Sequence, residues 1–442
     1  MSSLLIKDGL LLTMEPGEPV TRGDLLIEHG RIAAISKVEA TNEIEVLSAT
    51  DRLVMPGFVQ AHVHLAQTLF RGLANDVDLI HWLYERIFPL EAAHDEESLY
   101  DSARLGLAEM IRSGTTSVID VGAVWHIDSI FQALDECGIR AQSGLMLMDD
   151  PETYPQLRRP TGEALQTAAD TYDRWNGKGG GRLHGAFIPR GLLSVTLELV
   201  HELAKLAGEL HAPIHTHAHE SEKEIQRIYA KCGKRPLMAM RSAGITGPRL
   251  QLAHCVWLEP SEIDLLQEQG IGVVHCPSAN AKLSSGIAPI PELLSRGITV
   301  GLGADGAPCN DNLDAFMEMR LAGLLQKLRL GPGSLPATKI LSMATTGGAQ
   351  VMGLEAEIGY LKVGMRGDVI IVNLEGLHAN PFEPDSLVDL LVYAFGGGDV
   401  ESTIVEGQIL MRERVLTTMS ERDVLMRARR SRTRVLERLR WN

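Results

Sequence analysis

Cysteine is scarce in this sequence, and no two cysteines form a CxxC pair. The five cysteines lie far apart, at positions 137, 232, 255, 276 and 309. An odd and scattered set does not suit a disulfide framework and is typical of reduced thiols in an enzyme of the cytosol. We therefore expect a cytoplasmic protein.

Long apolar runs are also missing. The first residues, MSSLLIKDGLLLTMEPGEP, reach Lys7 and Asp8 before the apolar core of a signal peptide could form. No later run approaches the roughly 18 apolar residues of a membrane span. We therefore expect no membrane partner.

Positive charge is in deficit, because 42 Lys and Arg residues face 57 Asp and Glu residues and give a formal net charge of -15. Such a chain does not attract nucleic acid or anionic lipid. One stretch is basic, SERDVLMRARRSRTRVLERLR, with eight arginines between 422 and 440. We interpret it as a helix whose charged face meets solvent, and we expect no nucleic-acid partner.

The two ends of the chain have the pattern of short strands joined by tight turns. Near the N-terminus, LLIKDGLLLTM and GDLLIEHGRIAAIS carry Asp8-Gly9 and His29-Gly30 where hairpins would bend. The same pattern returns in GYLKVGMRGDVIIVNLEG and VESTIVEGQILMRERVL. We expect residues 1–55 and 361–415 to form one small β-sandwich domain, followed by a C-terminal helix over 416–442.

Between the ends, apolar strand-like segments alternate with helical stretches such as 95–114 and 195–210, a pattern typical of parallel βα units. The eight candidate strands are 57–65, 115–122, 139–147, 183–190, 213–220, 250–255, 270–277 and 299–306. Eight such units close a barrel. The predicted fold class is α/β, with a (β/α)8 TIM barrel over residues 56–360.

Polar residues stand at the C-terminal ends of these strands, where TIM barrels carry their reactive groups. They are His62, His64, the stretch PIHTHAHES at 213–221, His254, His275 and Asp305. Alternate residues of a strand share one face, so His62 and His64 could bind a common ion. Imidazole suits zinc and iron, and three or four ligands with an open position make a catalytic site. The pattern therefore predicts a catalytic metal site.

The sequence resembles the amidohydrolase superfamily over nearly its whole length. The likeness rests on MPGFVQAHVHLAQTLFRGLANDVDLIHWLYERIFPLEAAHD, HTHAHE, LAHCVWL, VVHCPSANAKLSSG and GLGADGAPCNDNLD. Within the superfamily it is most similar to the metal-dependent aminohydrolases that act on 5'-deoxyadenosine, methylthioadenosine or S-adenosylhomocysteine. The resemblance implies hydrolytic deamination of such an adenine nucleoside, with release of ammonia and formation of the inosine analogue.

The resemblance also implies roles for individual residues. The implied metal ligands are His62, His64, His217 and Asp305. Glu220 would carry protons between water and the ring, and His254 and Asp305 would complete the catalytic set. Binuclear relatives have a carbamylated lysine or a carboxylate at the end of the fourth strand, where this chain has Arg190, a cation that cannot ligate. We expect one divalent ion, zinc, with iron as the alternative.

Contacts to the substrate are implied for a wider set of residues. The candidates are Gln67, Trp82, Arg190, Glu220, His254, His275 and Asn280. Trp82 could stack on a base or cover a ribose. Arg190 replaces a histidine of other members and could bind a substrate anion or a ring acceptor, or pair with a structural carboxylate.

The roles of several positions remain open at this level. Ile80 and His81 stand where some nucleoside deaminases place a glutamate for the ribose diol, which puts that contact in doubt. His215 is expected to fill the barrel, and His219 to line the pocket or steady its loop.

Two other functions are compatible with the same motifs. One is a deaminase or chlorohydrolase of another aminated ring, such as a guanine-like, pterin, cytosine-like or triazine ring. The other is a catalytically silent metal-binding barrel. In each enzymatic case the partner is a small nucleoside or heteroaromatic amine, and the resemblance makes a homo-oligomer the expected assembly.

Overall fold

The computed structural model describes residues 3–41 and 44–439, and its strands form three sheets in this part of the chain. Numbered along the chain, the strands are β1 Ser3–Leu11, β2 Thr21–Glu28, β3 Arg31–Ile35, β4 Ile44–Ser48, β5 Arg52–Pro56, β6 Phe58–Val63, β7 Thr115–Asp120, β8 Arg140–Ser143, β9 Met146–Leu147, β10 Leu183–Gly185, β11 Ile188–Pro189, β12 Ile214–Ala218, β13 Leu250–His254, β14 Gly272–His275, β15 Val300–Leu302, β16 Val369–Asn373, β17 Val400–Val405, β18 Gln408–Arg412 and β19 Val415–Leu416.

The α-helices of the described residues, also numbered along the chain, lie mostly between the strands of the middle region. They are α1 Leu79–His81, α2 Phe88–Ala92, α3 Glu96–Arg112, α4 Ile127–Cys137, α5 Thr161–Trp175, α6 Leu197–Glu209, α7 Glu222–Cys232, α8 Pro236–Ser242, α9 Pro260–Gln269, α10 Pro277–Lys282, α11 Ile290–Ser295, α12 Ala307–Asn310, α13 Ala315–Leu330, α14 Ala337–Ala344, α15 Thr346–Met352, α16 Leu387–Tyr393 and α17 Glu421–Leu439. A π-helical turn, Trp82–Ile87, joins α1 to α2.

Strands from both chain ends pair in one nine-stranded sheet with the order β19-β18-β17-β16-β5-β1-β2-β3, in which β4 also pairs with β1. The predicted hairpin at His29-Gly30 is confirmed: both residues have positive φ, 51° and 77°, as a two-residue hairpin turn requires. The predicted hairpin at Asp8-Gly9 is wrong. There β1 continues through a bulge between Ile6 and Gly9, with φ of 63° at Asp8, so the dipeptide bends one strand rather than joining two.

The eight-stranded sheet has the order β10-β8-β7-β6-β15-β14-β13-β12, and its neighbouring strands are parallel. Its two outer strands are connected through Phe187, which follows β10. The Phe187 amide donates to the Pro213 carbonyl at 2.9 Å, and the His215 amide donates to the Phe187 carbonyl at 3.0 Å. The strands are almost wholly buried, as expected when both faces of a parallel sheet are covered.

All eight predicted strands of the middle region contain observed strand residues, but the third and fourth are interrupted. The third divides into β8 and β9, and the fourth divides into β10 and β11. The strands β8 and β10 belong to the eight-stranded sheet, whereas β9 and β11 pair in the small third sheet. The break lies at Gly144, where an added Cβ would come within 1.9 Å of the Ala186 carbonyl oxygen. The two segments approach so closely there that only glycine fits.

The predicted helices at 95–114 and 195–210 are observed as α3 and α6. A capping box formed by Asp95 and Ser98 begins α3, and the Thr196 side chain caps α6. No helix among residues 3–41 and 44–439 combines the length and apolarity needed to cross a bilayer.

The C-terminal helix begins at Glu421 rather than 416, because Val415–Leu416 still pairs with β18 as β19. Residues 440–442 of the predicted helix lie outside the described residues. The interpretation of a charged face that meets solvent is confirmed, because most of its arginines are exposed and its buried residues are Val424, Ala428, Ser431 and Val435. Several of these arginines also contact acids on α3. Arg427 Nε donates to Asp101 at 2.7 Å, and Arg434 Nη1 donates to Glu97 at 2.5 Å.

A buried ion-pair network connects the two large sheets. Arg140 on β8 donates from Nε to Asp368 Oδ2 at 2.8 Å and from Nη2 to Glu406 Oε1 at 2.9 Å. Asp368 precedes β16 and Glu406 follows β17, so both carboxylates belong to the chain-end sheet. All three side chains are at most 3% exposed. Charges this deep are tolerated only as a complete set.

We expect Arg140→Ala to lower the free energy of unfolding by about 3–5 kcal/mol, because it leaves two buried carboxylates without their partner. Arg412→Ala is the matched control, since it removes an exposed ion pair with Glu45 and should change stability by less than about 1 kcal/mol. Denaturant titration measures both values. A similar loss of unfolding free energy in the two variants would contradict a stabilising role for the network.

Candidate active site

Four side chains with metal-binding atoms meet at the carboxyl edge of the parallel sheet. His62 and His64 come from the end of β6, His217 from β12, and Asp305 from the loop after β15. His64 Nε2 lies 3.1 Å from His217 Nε2 and 3.3 Å from Asp305 Oδ1. His62 Nε2 lies 3.5 Å from the same Asp305 oxygen. The structure therefore brings all four predicted ligands together.

The chemistry of this set fits a divalent metal ion. His62 Nε2 is buried and has no hydrogen-bond partner among the described residues, although it faces the other donors. The ring nitrogens of His62, His64 and His217 all lie within 4.8 Å of one another. Three imidazoles and one carboxylate provide the ligands that catalytic zinc and iron sites use.

Burial keeps the histidine ligands in the form that binds a metal. It lowers the pKa of His64 and of His217 well below 6.5, so both rings are neutral at neutral pH. Burial alone would raise the pKa of Asp305, but contact with the neighbouring histidines outweighs it and holds that pKa well below 3.8. All these donors are thus deprotonated when the solution is neutral.

Cys276 also lies near this cluster, because its sulfur forms a second close group with His62 and Asp305. Burial raises the pKa of the Cys276 thiol well above 9. A thiol that keeps its proton is a poor ligand, since metals bind the thiolate. The histidines and Asp305 are therefore the better donors.

A series of polar contacts reaches the Nδ1 atoms of His64 and His217. The Gln67 amide nitrogen lies 3.2 Å from His64 Nδ1 and donates to Glu91 Oε1 at 2.8 Å. The other Glu91 oxygen accepts a hydrogen bond from Arg190. The Arg190 backbone carbonyl in turn lies 2.5 Å from His217 Nδ1. Outer partners of this kind fix the orientation of ligand rings.

Glu220 and His254 face the cluster from β12 and β13. His254 Nε2 lies 3.6 Å from Glu220 Oε2 and 3.8 Å from Asp305 Oδ2, while its Nδ1 contacts Asn280 Oδ1 at 2.9 Å. Burial raises the pKa of Glu220 well above 4.5, and the charge of Asp305 adds to the effect while Arg190 opposes it. Glu220 is thus a carboxyl group able to take and return a proton.

Left-handed backbone marks the strand ends that carry these groups. His254, Asp305 and His219 have φ of 75°, 62° and 59°, although none is glycine. Such conformations cost about 1–3 kcal/mol each and persist only where the surroundings enforce them. Each one turns the chain sharply after a strand, which directs adjoining polar side chains to the same edge.

A cleft opens onto the cluster, and its empty space of about 510 Å³ includes a part that is open to solvent. Its apolar walls are formed by Leu79, Trp82, Leu83, Leu193 and Leu283. Its polar walls are formed by His64, Arg190, Ser194, His217, Glu220, Glu224, His254 and Asp305. The lining thus combines apolar and polar side chains, which suits a polar ring that carries an apolar substituent.

Of the residues predicted to contact substrate, Trp82, Arg190, Glu220 and His254 line the cavity. Three others are at most 2% exposed: Gln67 lies behind His64, Asn280 behind His254, and His275 in the strand core. Burial lowers the pKa of His275 to about 3, so its ring is neutral.

Two histidines of the PIHTHAHES stretch lie away from the cavity. His215 lies beneath His62 in the sheet, with its Nε2 2.7 Å from His62 Nδ1. His219 points away from the site, and its Nε2 accepts a hydrogen bond from the Leu237 amide at 3.1 Å. Its backbone carbonyl accepts from the Val256 amide at 2.9 Å, so it steadies the loop that carries Glu220.

Two carboxylates of the site, Glu224 and Glu91, were not predicted from the sequence. Glu224 lies in the cavity wall, and its Oε2 accepts the amide protons of Glu220 at 2.6 Å and Ser221 at 3.3 Å. The sequence SEKE, a capping-box pattern, was the available signal. Glu91 belongs to the quoted motif around Trp82, but no spacing rule connects it to Arg190, which is far away in sequence.

Comparison with known proteins agrees with this fold and site. The family described as Amidohydrolase family matches residues 53–410. A match that spans most of the chain defines the class: the chain belongs to the amidohydrolase family, which confirms the resemblance predicted from the sequence.

The similar proteins within this family include deaminases of adenine nucleosides. A 5'-deoxyadenosine deaminase of Methanobrevibacter smithii is 36% identical over 432 residues, 97% of each chain. A 5-methylthioadenosine/S-adenosylhomocysteine deaminase of Haloarcula marismortui is 37% identical over 441 residues, 99% of each chain. The crystal structure of an adenosine deaminase from Xanthomonas campestris with bound zinc is 31% identical, has a TM-score of 0.92 and covers 98% of both chains.

We expect the purified protein to hold one equivalent of divalent metal and His64→Ala to bind it more weakly by over about 100-fold, because even outer partners contribute about 10–100-fold. Elemental analysis after dialysis and competition with a chelator measure this. His211→Ala, which removes an exposed imidazole before β12, should bind metal as the unmodified chain does. Unchanged affinity in His64→Ala, or two equivalents in the unmodified protein, would contradict the assignment.

Proposed function

We propose that the chain is a metal-dependent aminohydrolase that replaces the ring amino group of an adenine nucleoside by oxygen and releases ammonia. The expected substrates are 5'-deoxyadenosine, 5'-methylthioadenosine and S-adenosylhomocysteine, and the products are the inosine analogues. The observation that carries the proposal is the meeting of Glu220, His254 and Asp305 beside three histidines in one buried cleft. The names of the two relatives in the same branch support the substrate class.

His62, His64, His217 and Asp305 would hold one divalent ion, with zinc favoured by the zinc-containing relative and iron compatible with the same donors. A divalent ion in such a site lowers the pKa of water to about 7 and so makes a nucleophile available at neutral pH. Arg190 supports a single ion. It stands at the end of β11 as a cation paired with Glu91 and cannot be a ligand.

Glu220 is proposed to move protons. Its buried carboxylate accepts one proton of the attacking water and delivers it to the ring nitrogen. The remaining proton of that oxygen then passes to the amino group, which leaves as ammonia. The raised pKa suits this double role, because a group that must both accept and donate works best near the operating pH.

His254 is proposed to stabilise the oxygen that gains negative charge during attack. Asn280 Oδ1 can accept the Nδ1 proton of the ring, which leaves Nε2 to donate towards the cavity when the ring is cationic. The carboxylates of Glu220 and Asp305 lie close enough to balance that positive charge. Asp305 is proposed to orient the attacking water.

The apolar part of the cavity wall suits the 5' methyl and methylthio groups of two of the proposed substrates. Trp82 is 4% exposed and can cover a base or ribose, while Leu83, Leu193 and Leu283 offer contacts to a methyl or methylthio group. Arg190 is already paired with Glu91 in the absence of substrate, which favours the structural alternative for its charge over capture of a substrate anion.

We also propose the larger organisation that the sequence predicts. The eight-stranded sheet would close as a (β/α)8 TIM barrel through Phe187 and Ile214. Residues 56–360 would form this barrel domain and residues 1–55 and 361–415 a composite β-sandwich domain, followed by the C-terminal helix α17. A cytoplasmic location and a homo-oligomer remain predictions.

The substrate prediction is tested with a panel of aminated rings. On metal-replete protein, ammonia release should be fastest with 5'-deoxyadenosine, 5'-methylthioadenosine or S-adenosylhomocysteine. Guanine, 8-oxoguanine, isoxanthopterin and melamine should react more slowly. Preference for any of these four would move the assignment to another branch of the family, and hydrolysis of none of the compounds would favour a silent barrel.

Glu220→Gln should lower kcat by about 10²–10⁴-fold, the usual contribution of a general acid and base. Metal content should persist, because Glu220 is not among the proposed ligands. Glu222→Gln provides the matched control, since that glutamate is exposed on the first turn of α7. A Glu220→Gln enzyme that retains activity with its metal would contradict the proposed proton transfer.

A further inference from the structure

His215 has no place in the proposed chemistry, yet it is a fully buried imidazole directly beneath the site. It lies on β12 and is 0% exposed, and its Nε2 lies 2.7 Å from Nδ1 of His62, also 0% exposed. The two ring centroids are 5.0 Å apart with planes tilted by 43°, so the contact runs between ring nitrogens rather than between stacked faces. A side chain that merely filled space would not need this alignment.

The direction of this hydrogen bond decides which nitrogen His62 can offer to a metal. A neutral imidazole carries one proton, on either Nδ1 or Nε2. If the proton is on Nδ1, His62 donates it to His215 Nε2 and leaves the lone pair of its own Nε2 free. If His215 donates instead, the His62 proton must be on Nε2, and that atom cannot ligate.

His62 Nε2 is the atom that faces the other donors. It lies 3.5 Å from Asp305 Oδ1 and has no hydrogen-bond partner among the described residues. The first of the two arrangements is therefore the one that a metal site requires. In it, His215 accepts through Nε2 and keeps its own proton on Nδ1, a buried atom without a hydrogen-bond partner among the described residues.

The position of His215 is itself fixed by the next strand. His215 is in register with Gln251 on β13, so their side chains are neighbours on one face. Gln251 is held in turn, because its Nε2 donates to the Val351 carbonyl at 2.8 Å and its Oε1 accepts from Gln142 Nε2 at 2.7 Å. The ring of His215 thus rests against an amide pair that cannot rotate freely.

We propose that His215 is a positioning residue that holds His62 in the Nδ1-protonated form and so presents His62 Nε2 to the metal. The inference rests on the metal site of the proposed function. A neutral acceptor does this without adding charge to the buried cluster, and ligand histidines ordinarily need such a partner on their second nitrogen. His217 meets such an acceptor, the Arg190 backbone carbonyl, at the corresponding atom.

Two substitutions separate this role from simple packing. His215→Leu keeps much of the volume but removes the acceptor, and zinc affinity of the metal-free protein should fall about 10–100-fold. His215→Gln places an amide oxygen near the former Nε2, so most of the lost affinity should return. Competition between protein and a chelator, with zinc as the probe, measures all three affinities.

The controls distinguish a positioning effect from damage to the fold. Denaturant unfolding of the metal-free proteins reports stability, and His184→Leu removes an imidazole from β10 of the same sheet outside the site. We expect His184→Leu to bind zinc as the unmodified chain does. Equal zinc affinity in His215→Leu and the unmodified chain would overturn the proposal, as would an equal loss in His215→Leu and His215→Gln.

The protonation state is observed directly by nitrogen-15 spectroscopy of labelled histidines in the zinc-loaded protein. The expected result is an exchange-protected proton on His62 Nδ1 that disappears in His215→Leu. A proton on His62 Nε2 in the loaded protein would overturn the proposal. An unmodified chain that binds no zinc at all would instead contradict the metal site on which the proposal rests, and the two failures are therefore distinguishable.

Discussion

The structure depends on one costly arrangement, the burial of several lone-pair donors around a common point. His62, His64, His217 and Asp305 are withdrawn from water, and buried polar groups without partners destabilise a fold. A cation at that point would offset the cost, which is why the donors belong together as a binding site and not as four separate core residues. The same desolvation raises the pKa of Glu220 and so connects the stability of the site with its chemistry.

The rest of the fold keeps these groups in place through rigid elements and outer contacts. Parallel strands bring the donors to one edge, and the left-handed residues at the strand ends turn the following loops sharply. The contacts among Gln67, Glu91 and Arg190 connect the segment after β6 to the end of β11. Gly306 adds a steric requirement, since a Cβ there would come within 2.0 Å of the Gln67 amide oxygen. The site therefore relies on contacts between segments that are distant in sequence.

Much of this organisation was predictable from local sequence. Alternation of apolar strands and helices indicated the parallel sheet, the HxH spacing pointed to His62 and His64, and the family resemblance implied His217 and Glu220. What remained hidden depends on three-dimensional proximity: Glu91 meets Arg190, and His215 meets His62, across large separations in the chain. The prediction of a hairpin at Asp8-Gly9 was wrong for a related reason. A dipeptide that permits a turn also permits a bulge, and pairing with β2 decides between the two. The acidic partners of the α17 arginines were hidden for the same reason, because they lie on α3.

Diffraction from crystals of the zinc-loaded protein, recorded at the zinc absorption edge, tests the central claim most directly. The account predicts one anomalous peak, about 2.0–2.2 Å from imidazole nitrogens of His62, His64 and His217 and from a carboxylate oxygen of Asp305. Glu220 and His254 should face the same ion without binding it. A peak at another place, two peaks in the cleft, or a bond to Cys276 in place of Asp305 would contradict it.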